Sequence, residues 1–261
     1  MAHKSLTDVS NIVRRADTEI FEQDGFIVIN RPVFSDVELN EVHTIMDGLR
    51  NHLAEVPSEF YVDLAGGKGA TKKIDEILWA SRLEPKLKRT KVFLRTRQIA
   101  EILLGGPVTL HFDHHIQKAP FSDNGTQWHQ DQGFEADTGV KGTFWIPLVD
   151  VDTTNGCMWY IPGSHKRGLL EHDRVGVAAV EAKGFDATTE RAGPLSRGGL
   201  NVHRELTLHS SKPNTTGNSR PAWILRFRRD EMSAVRLKIK EVRSGTSSAP
   251  GLSRVTRVKH K

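Results

Sequence analysis

Residues 143–161 read TFWIPLVDVDTTNGCMWYI. Two apolar runs, Thr143–Val149 and Cys157–Ile161, flank a polar segment containing Asn155-Gly156, a pair that accepts the left-handed backbone of a tight reversal. Runs of the same kind recur on either side: Val108–Phe112 and His114–Ile116 before it, Leu200–Leu208 and Ala222–Phe227 after it, with Pro162-Gly163 as further turn chemistry. No helical period of convincing length interrupts them. Short strands punctuated by turns close best as two antiparallel sheets packed face to face. The expectation is a mostly β fold with flanking N-terminal helices, its core at 107–228 a double-stranded β-helix, or jelly roll, of the cupin-like kind.

The N-terminal part, residues 1–106, reads as helical with one strand. Phe26-Ile27-Val28-Ile29 is a short apolar strand. Ser35 followed by Glu38 is a capping box, and Val37, Val42, Ile45, Met46 and Leu49 carry the apolar face of the helix it opens. A second helix is expected from Lys86 to Leu104, stopped by Gly105-Gly106-Pro107. Residues 57–73, rich in Gly and Lys, read as a mobile loop, and the long polar segment 166–199 as an active-site loop. Either is a candidate to close over a site.

Composition narrows the class. The chain has 261 residues, 37% hydrophobic and 26% charged, enough for one domain with a sizeable core. One cysteine, Cys157, excludes an internal disulfide and a cysteine-built zinc site, and fits a reducing compartment. No signal-peptide core and no apolar run of ~18 residues is present, so a cytoplasmic protein without a membrane span is expected. The net charge of +5 is unevenly spread. Residues 229–261 hold nine of the 37 Lys and Arg and three of the 32 Asp and Glu, which leaves the preceding 228 residues at 28 against 29, a net charge of −1. The basicity belongs to a tail with a flexible spacer at 244–253, so the isoelectric point is no argument for a nucleic-acid partner.

Chemistry concentrates around Trp128-His129-Gln130-Asp131-Gln132. On a strand, residues two apart share a face, so His129 and Asp131 point into one cavity and Gln130 away from it. Two imidazoles and one carboxylate on one face make the facial triad of non-haem Fe(II) centres, which leaves the other positions open. The third donor must come from a distant strand. Among twelve histidines, His209 closes the apolar run Leu206-Thr207-Leu208, and Arg220 follows eleven residues later. His203, on the same run and of the same parity, competes. An arginine in such a cavity binds a carboxylate through two parallel hydrogen bonds.

Four stretches in this order, EQDGFIVI, WHQDQ, FWIPLVDVDTTNGCMWYIPGSHKRG and LTLHSSKPNTTGNSRPAWILRF, resemble the phytanoyl-CoA dioxygenase family of Fe(II)/2-oxoglutarate oxygenases over roughly residues 20–228. The resemblance implies iron ligands His129, Asp131 and His209. It implies Arg220 on the distal carboxylate of 2-oxoglutarate with Ser211 nearby, and Trp145 and His114 lining the co-substrate pocket. His114 stands where relatives carry an apolar residue, and Gly198-Gly199 stands where they often read Gly-Asp. The implied cofactors are Fe(II), 2-oxoglutarate and O2, with ascorbate as an optional reductant. The Asp131 carboxylate, absent from related halogenases, implies hydroxylation. The expected substrate is a small polar or anionic molecule (an amino acid, phosphonate, acyl-thioester or natural-product intermediate) met by Gln117, Lys118, Gln132 and Arg226. Two rivals differ in class. One is a nucleic-acid alkyl-lesion demethylase, suggested by the pair Arg220 and Arg226, and the other a metal-binding jelly roll without catalysis. Oligomeric state is not legible.

Overall fold

A computed structural model describes residue 9 and residues 12–64, 74–134, 139–175 and 180–231. Residues 65–73 of the segment expected to be mobile, and 232–261 of the basic tail with its spacer, lie outside the described residues.

The chain opens with α1 (Arg15–Asp24), β1 (Phe26–Ile29) and α2 (Asp36–Asn51), then β2 (Tyr61–Asp63), β3 (Ile74–Leu78), the short α3 (Ala80–Leu83) and α4 (Lys91–Leu103). The β-rich remainder comprises β4 (Val108–Lys118), β5 (Thr126–His129), β6 (Lys141–Pro147), β7 (Met158–Tyr160), β8 (His172–Arg174), β9 (Val180–Ala182), β10 (Arg191–Gly193), β11 (Leu200–Arg204), β12 (His209–Ser211) and β13 (Arg220–Arg229). Among the described residues these form a seven-stranded sheet, β1-β11-β6-β13-β4-β3-β2, a four-stranded sheet, β10-β7-β12-β5, and a separate β8-β9 pair. All the pairings are antiparallel. This is the expected two-sheet jelly roll.

Alternation along the strands builds two cores. Phe144, Ile146, Val202, Trp223, Leu225 and Phe227 face the helices and pack with Leu39, Val42, Met46, Ile99 and Leu103 of α2 and α4. Their neighbours of opposite parity, Trp145, Ala222, Ile224 and Ile116, face the small sheet and meet Cys157, Met158 and Tyr160. Burial pushes the Cys157 thiol up to about 11, so it is packed apolar volume and not a reactive group. In the turn before it, Gly156 has φ +85°, and a Cβ there would sit 2.7 Å from the Lys212 carbonyl oxygen. Both backbone conformation and space therefore require glycine.

Several boundaries differ from the sequence reading. The runs 108–112 and 114–116 are one eleven-residue strand. Leu200–Leu208 breaks after Arg204, and the chain crosses there from the large sheet to the small one, so His203 and His209 approach from opposite sheets and their shared parity was not the reason they converge. The helix expected over 86–104 is a 3-10 turn, Pro85–Arg89, followed by α4. The part read as helical supplies β1, β2 and β3 to the large sheet. Segment 166–199 carries β8, β9 and β10.

The capping box is formed: Ser35 Oγ accepts from Glu38 N at 3.4 Å and Glu38 Oε2 accepts from Ser35 N at 3.0 Å. Val37, expected on the apolar face, is 79% exposed, because it falls in the first turn outside the buried stripe of Leu39, Val42, Met46 and Leu49. Glu38 also accepts from both terminal nitrogens of Arg95 at 2.7 and 3.0 Å, tying α2 to α4. That bidentate contact is the main reason its carboxyl lies at about 2, against 4.5 for the free group. A depressed carboxylate stabilises the fold fully above the unfolded pKa, and the contribution fades as pH falls from 4.5 towards 2. Glu38→Gln should therefore unfold more easily than wild type near neutrality, by on the order of 2–3 kcal/mol. The two urea curves should converge near pH 2. A gap that stays constant with pH would show that the charge is not what the pair contributes.

Candidate metal centre and active site

His129 ends β5 and is paired with His209 at the start of β12, so two strands of the small sheet place the rings side by side, with centroids 4.1 Å apart. Asp131 is not on the strand. It opens a 3-10 turn, Asp131–Phe134, and it is that turn which swings the carboxylate back to the histidines. Single ligand atoms of His129, Asp131 and His209 all lie within 4.8 Å of one another, and the three residues are buried.

Each histidine is held in one tautomer. His129 Nδ1 lies 2.8 Å from the Gln127 carbonyl oxygen and His209 Nδ1 2.9 Å from that of Thr207. A carbonyl only accepts, so Nδ1 carries the proton and Nε2 presents a lone pair. Burial is the leading cause that lowers both imidazole pKa values, which keeps the rings neutral. Burial alone would raise Asp131, but Arg226, His203 and His209 more than offset it and hold the carboxyl well below its usual range. Two neutral imidazole lone pairs and an ionised carboxylate fit a divalent first-row cation such as Fe(II).

Beside this cluster a narrow cavity of about 90 Å³ runs towards Arg220, past Trp145, Ser211, Thr126 and His114. Arg220 begins β13 on the same face as Ala222 and Ile224, is 1% exposed, and its Nε and Nη1 have no hydrogen-bond partner. Its guanidinium lies 5.2 Å from the Trp145 ring. Burial pushes the group down to about 10, which leaves it charged at neutral pH. A buried cation lining the cavity with two nitrogens that lack a hydrogen-bond partner fits a dicarboxylate whose far end it would receive. Ser211 Oγ, 3.0 Å from Thr126 Oγ1, is at the same end.

A larger cavity of about 620 Å³ opens on the other side of His129 and Asp131. Its walls include Val62, Leu64, Ile74, Leu78, Phe112 and Phe134, with Glu76, Asp123 and Arg226 as charged groups. The His114–Glu76 pair, 3.1 Å apart, lines both cavities and stands between them. Val175 and Val180, from segment 166–199, border the same space.

Of the four residues expected to meet the substrate, only Arg226 is among the described residues lining this cavity. Gln117 has the parity of Asp113 and His115 on β4, the face turned to the helices, where Asp113 accepts from Ser81 and Trp223. Lys118 is fully buried, and its Nζ donates to the Ser211 carbonyl at 3.2 Å and to that of Lys212. Burial and Arg220 push this amine down to about 6. Gln132 is buried in the 3-10 turn and does not line this cavity, its backbone N donating to Glu205 O at 3.1 Å. Gln130 does point away from the metal cluster, as expected, and ties the Gly168 and Leu206 carbonyls at 2.8 and 2.7 Å. The sequence reading missed Thr143, whose hydroxyl bonds Asp131, and Glu76. Thr143 lies in the quoted strand two residues before Trp145, a parity signal that could have found it.

The comparisons with known proteins agree with this geometry. The family profile described as phytanoyl-CoA dioxygenase (PhyH) matches residues 21–222. The phytanoyl-CoA dioxygenase domain-containing protein 1 homolog of Caenorhabditis elegans is 26% identical over 259 residues, covering 79% of this chain and 88% of that one. A probable alpha-ketoglutarate-dependent hypophosphite dioxygenase of Stutzerimonas stutzeri is 31% identical over 135 residues, 46% of each chain. Among solved structures, EvdO2 of Micromonospora carbonacea var. aurantiaca, complexed with 2-oxoglutarate, superposes with a TM-score of 0.71 at 26% identity over 84% of this chain and 91% of its own. Among the described residues no helix is long and apolar enough to cross a membrane. With the jelly roll, the His-Asp-His cluster and a profile match over most of its length, the chain belongs to the phytanoyl-CoA dioxygenase family of non-haem iron, 2-oxoglutarate-dependent oxygenases.

Proposed function

We propose that this oxygenase hydroxylates a small molecule, with His129, Asp131 and His209 holding iron and Arg220 and Ser211 holding the distal carboxylate of 2-oxoglutarate. The oxygenase unit would run to the end of β13 at Arg229, one residue beyond the 228 expected, with the rest of the chain as an appended basic tail. The observation that carries the reading is the convergence of three buried donor atoms within 4.8 Å beside a buried arginine that lacks partners.

Iron with 2-oxoglutarate supplies the oxidising chemistry, in which O2 and the co-substrate yield succinate, CO2 and an oxygen atom for the substrate. The chain's own residues supply position. Arg220, 1% exposed, neutralises one end of the co-substrate, Trp145 walls its side, and the small sheet fixes both histidines. Asp131 supplies the carboxylate whose place a halide would need, which favours hydroxylation over halogenation. Within the substrate classes considered, the cavity of about 620 Å³ with eight apolar side chains among the described residues of its walls favours an amphipathic natural-product intermediate or acyl group over an amino acid or phosphonate.

The test is succinate formation from 2-oxoglutarate under air with Fe(II), over a panel graded in size. Turnover should rise with amphipathic candidates of intermediate size and stay near the uncoupled background with glycine-sized or phosphonate candidates. Highest turnover with the smallest anions would refute the size argument.

A further inference from the structure

The two oxygens of the Asp131 carboxylate have different neighbours. Oδ1 lies 3.9 Å from His129 Nε2 and 3.7 Å from His209 Nε2. Oδ2 instead accepts from the Thr143 hydroxyl and lies 3.4 Å from His203 Nε2 and 3.6 Å from Arg226 Nε. His203 and Thr143 are register partners on β11 and β6 of the large sheet, so one pair of strands delivers both to the same oxygen. His203 is 1% exposed, and neither of its ring nitrogens has a hydrogen-bond partner. Its ring is wedged between Tyr160, at 5.5 Å, and His209, at 4.0 Å, which fixes where Nε2 points. Buried polar groups are nearly always satisfied. An imidazole this deep, with Nε2 3.4 Å from one carboxylate oxygen and no hydrogen bond elsewhere, calls for a role beyond filling space.

We infer that His203 is a positioning residue for the metal: with Thr143 it occupies Asp131 Oδ2, so that a bound ion receives Oδ1 alone. The inference rests on the metal reading of the triad proposed above. A carboxylate free to turn can give both oxygens to one cation and so take an extra coordination position. One held by its far oxygen gives a single bond and leaves the remaining positions for a co-substrate that needs two of them and for O2. His203 was the rival for third ligand at the level of sequence. The structure instead puts it against the oxygen that the other two donors do not approach most closely.

The probe is Mn(II) alone, titrated anaerobically into the full-length chain freed of metal, without 2-oxoglutarate or substrate. Two quantities are read: the dissociation constant, and the water-proton relaxation enhancement per bound ion, which scales with the number of waters on it. His203→Phe keeps the ring and removes the donor. It should weaken binding about tenfold or more and lower the enhancement by roughly a third, as the freed oxygen displaces one of about three waters on a six-coordinate ion. His203→Gln retains an N–H donor at that reach and should stay close to wild type in both readings. Thr143→Val, nearly isosteric, should move both in the direction of His203→Phe and carries the test if that variant does not fold. Unchanged relaxation in His203→Phe and Thr143→Val overturns the inference, even if affinity falls. So does a His203→Gln variant that loses as much as His203→Phe, because then the ring and not the donor matters. A folded wild type that takes up no Mn(II) fails differently: it removes the metal reading, and this inference with it.

Discussion

Replacing His129, Asp131 or His209 by alanine, one at a time, is expected to abolish turnover and to strip most of the Fe(II) affinity, leaving the fold intact. The three donor atoms sit within 4.8 Å of one another and belong to two strands and a turn that other contacts already fix. Removing one therefore does not let a neighbour slide in to replace it. Loss of a residue that only orients a ligand costs about 10–100-fold in metal affinity, and loss of the ligand itself should cost at least that. Apo His129→Ala and His209→Ala should not be destabilised much, because each desolvated imidazole is held at some cost, whereas Asp131→Ala removes the carboxylate that Arg226, His203 and Thr143 face and should cost more stability. Anaerobic Fe(II) titration, succinate formation and thermal unfolding of the apo variants check the three statements separately. The informative comparison is with His203→Ala. If His209→Ala kept activity and His203→Ala lost it, the third ligand would be His203 and the role inferred for that residue would fall too.

How far the sequence could carry this reading depended on which signals were periodic. The strands of the core were legible because β-type runs bounded by Asn155-Gly156 and Pro162-Gly163 repeat at short intervals, and the family-like stretches span the same region. Helix α2 was legible through its capping box. By contrast α1, RADTEIFEQD, buries only Phe21, so it has no apolar stripe to read. Strand β3, IDEIL, puts Glu76 on the cavity side between Ile74 and Leu78, and that polar residue spoils the alternation that would mark a strand. The three side chains read as a triad do converge, although Asp131 reaches the cavity by a 3-10 turn and not by strand parity. Substrate residues were the least legible. Gln117, Lys118 and Gln132 are polar and near the site in sequence, but Gln117 has the parity of the face turned to the helices, Lys118 gives its amine to the Ser211 and Lys212 carbonyls, and Gln132 sits in the 3-10 turn outside the cavity lining. The cavity is instead walled by residues from β2, β3, β5 and the 166–199 segment, which the fold brings together over long separations.

Arg220→Ala is expected to raise the 2-oxoglutarate concentration needed for half-maximal rate while leaving Fe(II) binding without co-substrate nearly unchanged. The guanidinium is 1% exposed, and its Nε and Nη1 have no hydrogen-bond partner, so both are available to a carboxylate. Truncating one member of a buried charge pair costs roughly 2–5 kcal/mol, about 30- to 5,000-fold in apparent affinity, much of it from leaving the other charge unpaired. Arg220→Lys should recover part of this. Lysine keeps the charge but offers a point donor in place of a planar fork, and Lys118, the register partner of Arg220, already occupies the adjoining space on that face. Arg226 is the control: its Nε lies 3.6 Å from Asp131 Oδ2, so Arg226→Ala should disturb metal binding rather than the co-substrate requirement. The two arginines are therefore separable by which titration each variant shifts. A 2-oxoglutarate titration of Arg220→Ala that superposes on wild type, or one in which only Arg226→Ala is displaced, would move the carboxylate to the other end of β13 and reverse the orientation of the co-substrate in the cavity.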